Sequence, residues 1–288
     1  MDKAKTKLSV IFTLSIIAIL ISVFVLAKPD TDRVLATNAK SGNNVVIPAH
    51  AVEVAPNVFS LGTATDVDGR TVEGFMIIDK KKENAKPPWA GGGGNGGTTC
   101  FAFLAKGAKW KGLEPWVVNT ANTEGLSSSF VFNDLGADIQ KWEDAADGSV
   151  NGVQGANILG DGSINLTTLV ADTSSPDGLN EVYFGNVDSV GAIAVTIVWG
   201  IFSGPPSIRE LVEWDQVYDQ VDFNWNSTGE AGKMDFENIA THELGHSVGM
   251  GHPDGSCTEE TMYAYADYGE TKKRTLNAGD IAGINGLY

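Results

Sequence analysis

Between Thr241 and His252 the chain reads THELGHSVGMGH, and no other stretch restricts the fold as tightly. His242 and His246 are four residues apart, so on a helix they stand one turn above each other and both imidazoles can face one ion. Glu243, next to the first histidine, points its carboxylate beside that ion, where it can take a proton from a water at an open coordination position. Gly249, three residues after His246, can end the helix in the left-handed conformation that glycine adopts without a Cβ penalty. The chain then turns back and offers His252, six residues past His246, as a third ligand. Three nitrogens and one open position are the donor set of a catalytic zinc site. The chain has four histidines, and only His50 lies outside this window. A core helix with ordinary hydrogen-bonded histidines would explain one of them, but not the offsets of all three.

Residues 1–27 have a different character. Lys3, Lys5 and Lys7 precede an uncharged apolar run from Leu8 to Ala27, long enough to span a bilayer. Val25-Leu26-Ala27 resembles a small-residue cleavage site, so a cleaved signal peptide and a retained membrane anchor both stand. In either case the basic N-terminal side is expected to stay cytoplasmic and everything after Lys28 to be exported. The formal charge is −16, and without the three lysines and one aspartate of residues 1–27 it is −18, which argues against a nucleic-acid partner. Cys100 and Cys257 are an even pair in an exported chain, readable as a disulfide or as two free thiols.

Residues 28–48 are polar and aperiodic and read as a tether. Residues 49–85 read as a small β-hairpin region, with strands near Val58–Ala64 and Thr71–Ile78 joined through Asp66-Val67-Asp68-Gly69. Residues 86–97, with Pro87-Pro88 and GGGGNGG, read as a linker, since a phosphate-binding loop would need a following Lys-Ser/Thr. From 98 to 288 the pattern is that of one domain. Strands are expected at Cys100–Ala105, Trp116–Asn119, Glu181–Gly185, Ile193–Trp199, Leu211–Tyr218 and Asp222–Trp225. A long helix is expected over Ser127–Ala146, from the apolar positions Phe130, Leu135, Ile139 and Trp142. Asp235 should cap the histidine helix, and Asn277 with Asp280 resembles a capping box for a last short helix.

The spacing HExxHxxGxxH, with Met262 in TEETMYAY as a Met-turn candidate, resembles the metzincin metalloproteases. Within them the chain is most similar to the matrixins over residues 107–288. SSSFVFNDLGADIQKWEDAA is similar to their first helix, AIAVTIVW and ELVEWDQVYD to their edge strand and the next strand, and TLNAGDIAGINGLY to their closing helix. The resemblance implies an α+β fold: a catalytic domain with a twisted mixed sheet, an active-site helix and a Met-turn, here preceded by the small β region. It implies one catalytic zinc on His242, His246 and His252, Glu243 as general base, Gly249 and Met262 in support, and a protein or peptide substrate extended along Ala192, Ile193, Ala194, Val195 and Thr196. Structural calcium occurs in relatives, and Asp161, Asp172 and Asp177 are candidates here, readable also as turn residues. The PRCGxPD segment that keeps many matrixins latent is absent, and Cys100 does not match it. Ala264 stands two residues after Met262, where the family often has proline. The family's paired aspartates on the last helix are reduced to Gly279-Asp280.

Three functions therefore stand at this stage. The first is a zinc endopeptidase acting outside the cytoplasm, with Tyr263 or Tyr265 either steadying an oxyanion or serving as wall residues. The second is a non-catalytic, zinc-containing cell-surface binding module, and the third a zinc hydrolase of non-peptide amides. The open fourth position and Glu243 favour the first, because structural zinc sites are closed.

Overall fold

Most of the strand-forming runs assemble into one mixed sheet, and others into two separate two-stranded ladders, in the computed structural model, which describes residues 44–84, 99–147 and 156–288. The segment 1–27, residues 28–43 of the tether and the linker 86–97 lie outside the described residues. Among those described, no helix is long and apolar enough to cross a membrane.

Ahead of the first long helix come β1 (Asn44–Val46), β2 (Val52–Ala55), β3 (Val58–Thr65), β4 (Thr71–Lys81), β5 (Ala102–Phe103) and β6 (Glu114–Asn119). Helix α1 (Ser128–Ala146) leads to β7 (Leu159–Ile164), β8 (Asn180–Asp188), β9 (Ala192–Ile201) and β10 (Glu210–Asp219). Next are two short strands, β11 (Trp225–Asn226) and β12 (Met234–Asp235), and α2 (Phe236–Ser247), which carries the first two histidines. The chain closes with β13 (Met250–Gly251), β14 (Tyr265–Ala266) and α3 (Ala278–Leu287). Across the sheet the order is β2-β3-β4-β9-β10-β8-β6-β7, with β1 beside β8 and β14 beside β4. β10, β8, β6 and β7 pair in parallel, whereas β2, β3, β4, β9 and β10 pair antiparallel. The fold is α+β with a mixed sheet, as the resemblance implies.

Apolar side chains fill both faces of this sheet. Ile77, Val118, Val182 and Val198 pack with the helices, while Met76, Ile78, Val195, Ile197 and Trp199 form a second core on the opposite face. That explains why β9 reads as a nearly unbroken apolar run. In α1, Val131, Leu135, Ile139 and Trp142 make the buried stripe, and the Ser127 hydroxyl accepts from the Phe130 N–H at 3.1 Å. The Trp142 indole donates to the Thr241 carbonyl at 2.8 Å and the Trp110 indole to the Ser247 carbonyl at 2.7 Å, fixing α2 at its middle and at its C-terminal end. Asp235 caps α2 through the Asn238 N–H at 3.1 Å and is held by the Arg274 guanidinium at 2.8 Å.

One expectation from the sequence is corrected here. Ala192–Thr196 was read as an exposed edge for a peptide, but β9 is an interior strand. Its far side pairs antiparallel with β4, in the register Ile78↔Val195 and Asp79↔Ala194, and Ala192 through Thr196 are fully buried. The β-hairpin region therefore continues the main sheet. The cause is pairing between segments more than a hundred residues apart, which strand propensity does not encode.

Cys100 and Cys257 are bonded, with Cα atoms 5.4 Å apart across 157 residues of sequence. Beside this bond β5 pairs with β13, so the chain just past α2 is tied to the start of the domain by a disulfide and a short ladder. Cys257→Ser should lower unfolding free energy by about 2–5 kcal/mol, the usual cost of losing a bond that closes a long loop. Denaturant melts of the variant and the oxidised protein measure it, and coincident midpoints would contradict a stabilising role.

Candidate metal centre and active site

Helix α2 places His242, Glu243 and His246, and its end delivers the third histidine. Gly249 has φ +99°, its N–H bonds to the His246 carbonyl at 2.9 Å, and a Cβ there would stand 2.9 Å from the Ala108 carbonyl oxygen. The turn is therefore reserved for glycine. It carries the chain through β13 to His252, whose Nε2 lies 3.1 Å from that of His246 and 3.3 Å from that of His242.

These separations are not hydrogen bonds. The Nδ1 atoms of His242 and His246 face the carbonyls of Thr261, at 2.6 Å, and Met250, at 2.9 Å, so Nδ1 carries the proton and Nε2 keeps its lone pair. Nitrogens at tetrahedral positions about 2.0–2.1 Å from one ion would be about 3.4 Å apart. The observed spacing fits that arrangement. Burial above all holds His242 and His252 well below the usual imidazole range and brings His246 down to about 4, which keeps the rings in the neutral, ligating form.

Glu243 is fully buried, and its Oε2 accepts from the Thr196 hydroxyl at 2.5 Å. Burial first, and the Asp79 carboxylate next, push its carboxyl well above the usual range. Asp79, from β4, is equally buried, with a carboxylate oxygen within 4.8 Å of both a His242 ring nitrogen and the Glu243 carboxylate. No side chain hydrogen-bonds either Asp79 oxygen, and Glu243 Oε1 also lacks a partner. Two buried carboxylates side by side are costly unless positive charge compensates them. The buried Lys273 ammonium, 3.4 Å from His242 Nδ1 and donating to the Tyr263 carbonyl at 2.6 Å, supplies one charge. A divalent ion on the histidines would supply the rest, so the residues present fit zinc.

Met262 lies beneath α2, fully buried. A Cβ on Gly245 would meet its sulfur at 2.2 Å and the Trp142 ring at 2.7 Å, so the helix interior needs glycine where propensity would disfavour it. Gly245→Ala should cost about 1–3 kcal/mol through overpacking. Thermal unfolding of the variant tests this, and an unchanged midpoint would mean that Met262 moves aside freely. The turn is fixed from α3: Asp280 accepts from the N–H groups of Thr261 at 2.7 Å, Met262 at 3.1 Å and Asn277 at 2.9 Å. The capping-box reading found the last of these bonds. The other two are set by tertiary packing.

Residues 205–288 match the family model for matrixin. This part of the chain is matrixin-like. Over 60 residues the chain is 42% identical to matrilysin of Rattus norvegicus, covering 21% of this chain and 22% of that protein. Human matrilysin is 39% identical over 74 residues, 26% of each protein. Metalloendoproteinase 4-MMP of Arabidopsis thaliana is 37% identical over 68 residues, 24% of this chain and 18% of that one. The matched stretches thus span about a quarter or less of these relatives.

Of the other matrixin-like expectations, Tyr263 and Tyr265 stand together with rings 5.7 Å apart, and Tyr265 is buried. Asp172 and Asp177 come together with Glu213, their carboxylate oxygens within 4.8 Å of one another; Asp161 lies apart in β7. Asp79, Gly245 and Lys273 are not singled out by the sequence, and Thr196 is named there only as part of the substrate strand, not as the partner of Glu243. Only Gly245, a glycine between two helical histidines, carried a local signal.

Proposed function

We propose that the chain is a zinc-dependent endopeptidase acting on extracellular or cell-surface proteins, with His242, His246 and His252 as ligands and Glu243 as general base. The convergence of three neutral imidazole nitrogens beside a buried carboxylate carries this reading. When bound, zinc supplies a Lewis acid for the scissile carbonyl and makes a water more acidic. Glu243, positioned by Thr196, takes the proton from that water and passes it to the leaving amine. Thr261 and Met250 hold two imidazoles in the ligating tautomer, and Met262 provides an apolar floor. Export directed by residues 1–27 accounts for the extracellular site of action.

The test is incubation of purified protein, intact and after limited trypsin digestion, with a denatured protein substrate. Cleavage should stop with a chelator and return with zinc; cleavage unaffected by chelation would sink the reading. The alternative, a non-catalytic zinc-containing binding module, draws on Asp79, a buried carboxylate beside His242 and Glu243 that crowds the side a catalytic site keeps open.

The reading also includes a structural calcium ion at Asp172, Asp177 and Glu213. Glu213 is 1% exposed and its Oε1 has no partner, so a cation would relieve a crowded acidic group. Calcium at a hundredfold excess over Kd should raise the melting temperature by about 5–10 °C, and Glu213→Gln should abolish the shift. No shift in the unsubstituted protein would remove calcium from the account.

A further inference from the structure

We propose that β4 occupies the substrate groove of this same protein, setting Asp79 against His242 and Glu243 of the candidate metal centre, so that the centre stays latent until β4 is withdrawn. The inference rests on the peptidase reading.

The pairing pattern carries it. An extended peptide entering a protease groove adds a strand to a sheet edge through main-chain hydrogen bonds. On β9 that edge is already taken: Ile77 lies opposite Thr196, Ile78 opposite Val195 and Asp79 opposite Ala194, all antiparallel. The end of β4 is also bonded on its other side, where Lys80 and Lys81 pair in parallel with Tyr265 and Ala266, three residues beyond Met262. Residues 79–81 thus run between the strand above the metal centre and the segment below it. A foreign strand has no free main-chain partner on either wall.

Side-chain alternation gives this placement its chemical consequence. Ile77 packs into the core shared with α2, and Ile78 into the core on the other face, so Asp79 returns to the α2 side. There its carboxylate lies within 4.8 Å of a His242 ring nitrogen and of Glu243. Ordinary packing does not call for an ionisable group at this position. It is fully buried with no side-chain hydrogen bond, and the nearby Lys273 ammonium balances only one of the two carboxylates, Asp79 and Glu243, a poor exchange for an apolar residue unless a further cation completes the balance. His242, Glu243, His246 and Ile77 are likewise at 0% exposure, so the proton acceptor cannot meet a substrate carbonyl in this state.

Asp79→Asn in the full chain, loaded with one zinc or one cobalt(II), tests the role of the carboxylate. The variant should cleave a quenched-peptide library at least about tenfold faster than the unsubstituted protein, the least that replacing a carboxylate beside His242 and Glu243 by an amide should release. Its cobalt(II) visible spectrum should also change, because one carboxylate leaves the metal's surroundings. Identical spectra with one cobalt bound to each protein would overturn the assignment of Asp79. A changed spectrum without any gain in turnover would make the site a closed structural one and overturn latency. Absence of bound metal in both proteins would instead sink the peptidase reading itself.

Withdrawal of β4 is tested separately with the pair Ile78→Cys and Val195→Cys, opposite each other on the face away from the histidines, in the Asp79→Asn background. Oxidation should suppress turnover and reduction restore it, with Asp79→Asn alone given the same reductant to account for Cys100–Cys257. Full turnover with the strands locked would overturn the proposal.

Discussion

Glu243→Gln should lower peptide turnover by about 10²–10⁴-fold, the usual worth of general-base assistance, while zinc content stays at that of the unsubstituted protein. The substitution keeps size and leaves an amide oxygen for the Thr196 hydroxyl, which now donates to Oε2 at 2.5 Å. What it removes is the site that accepts a proton. Burial and the neighbouring Asp79 raise the affinity of this carboxyl for a proton, so the group is placed to take one and then release it to an amine. The measurement is kcat of folded, zinc-loaded protein, compared within the Asp79→Asn background so that any blockage by β4 is common to both arms. A structural role predicts a lower melting temperature with the rate nearly intact. A rate within about threefold of the parent, far short of the expected loss, would rule out general-base catalysis by Glu243.

The second large effect is expected at the metal. His246→Ala should take tightly bound zinc from about one ion per chain to almost none after dialysis, because a site left with two nitrogens forfeits most of its affinity. The ring is fully buried and its Nδ1 meets the Met250 carbonyl, so truncation also opens a cavity and leaves that carbonyl unpaired. The chelator-stripped parent separates the two contributions: it lacks the ion and keeps the ring. Melting of the variant below the stripped parent measures the packing loss, and the gap between stripped and loaded parent measures the ion. Equal zinc retention by variant and parent would show that the ion sits elsewhere.

What the sequence made legible was local, and what it hid was set by distant pairing. The offset between His242 and His246, the glycine at 249 and the cap at Asp235 each depend on a few neighbouring residues, and each stands where the pattern placed it. Cys100 and Cys257 could be read only as an even pair, since a bridge over 157 residues depends on the whole fold. β9 illustrates the limit most clearly. Ala192–Thr196 announces a strand through its β-branched content, but nothing in it says whether one or both sides will be paired. Asp79 was hidden for the same reason: at the end of a hairpin strand it looks like an ordinary surface charge. Lys273 sits in the run Lys272-Lys273-Arg274, which reads as solvated, yet its ammonium is buried beside His242.

The ladder between β4 and β9 has a colloidal consequence as well. AIAVTIVW is uncharged, rich in β-branched residues and free of proline, the composition that stacks with copies of itself when its main chain is bare. With β4 in place that main chain is covered and the segment is buried within the molecule. A form stripped of β4 would carry a self-complementary sticky edge beside its buried histidine cluster. Any exposure of that edge then sets a race between capturing a passing polypeptide and capturing another copy of the same protein. Dilution would favour the first outcome, and crowding at a surface the second.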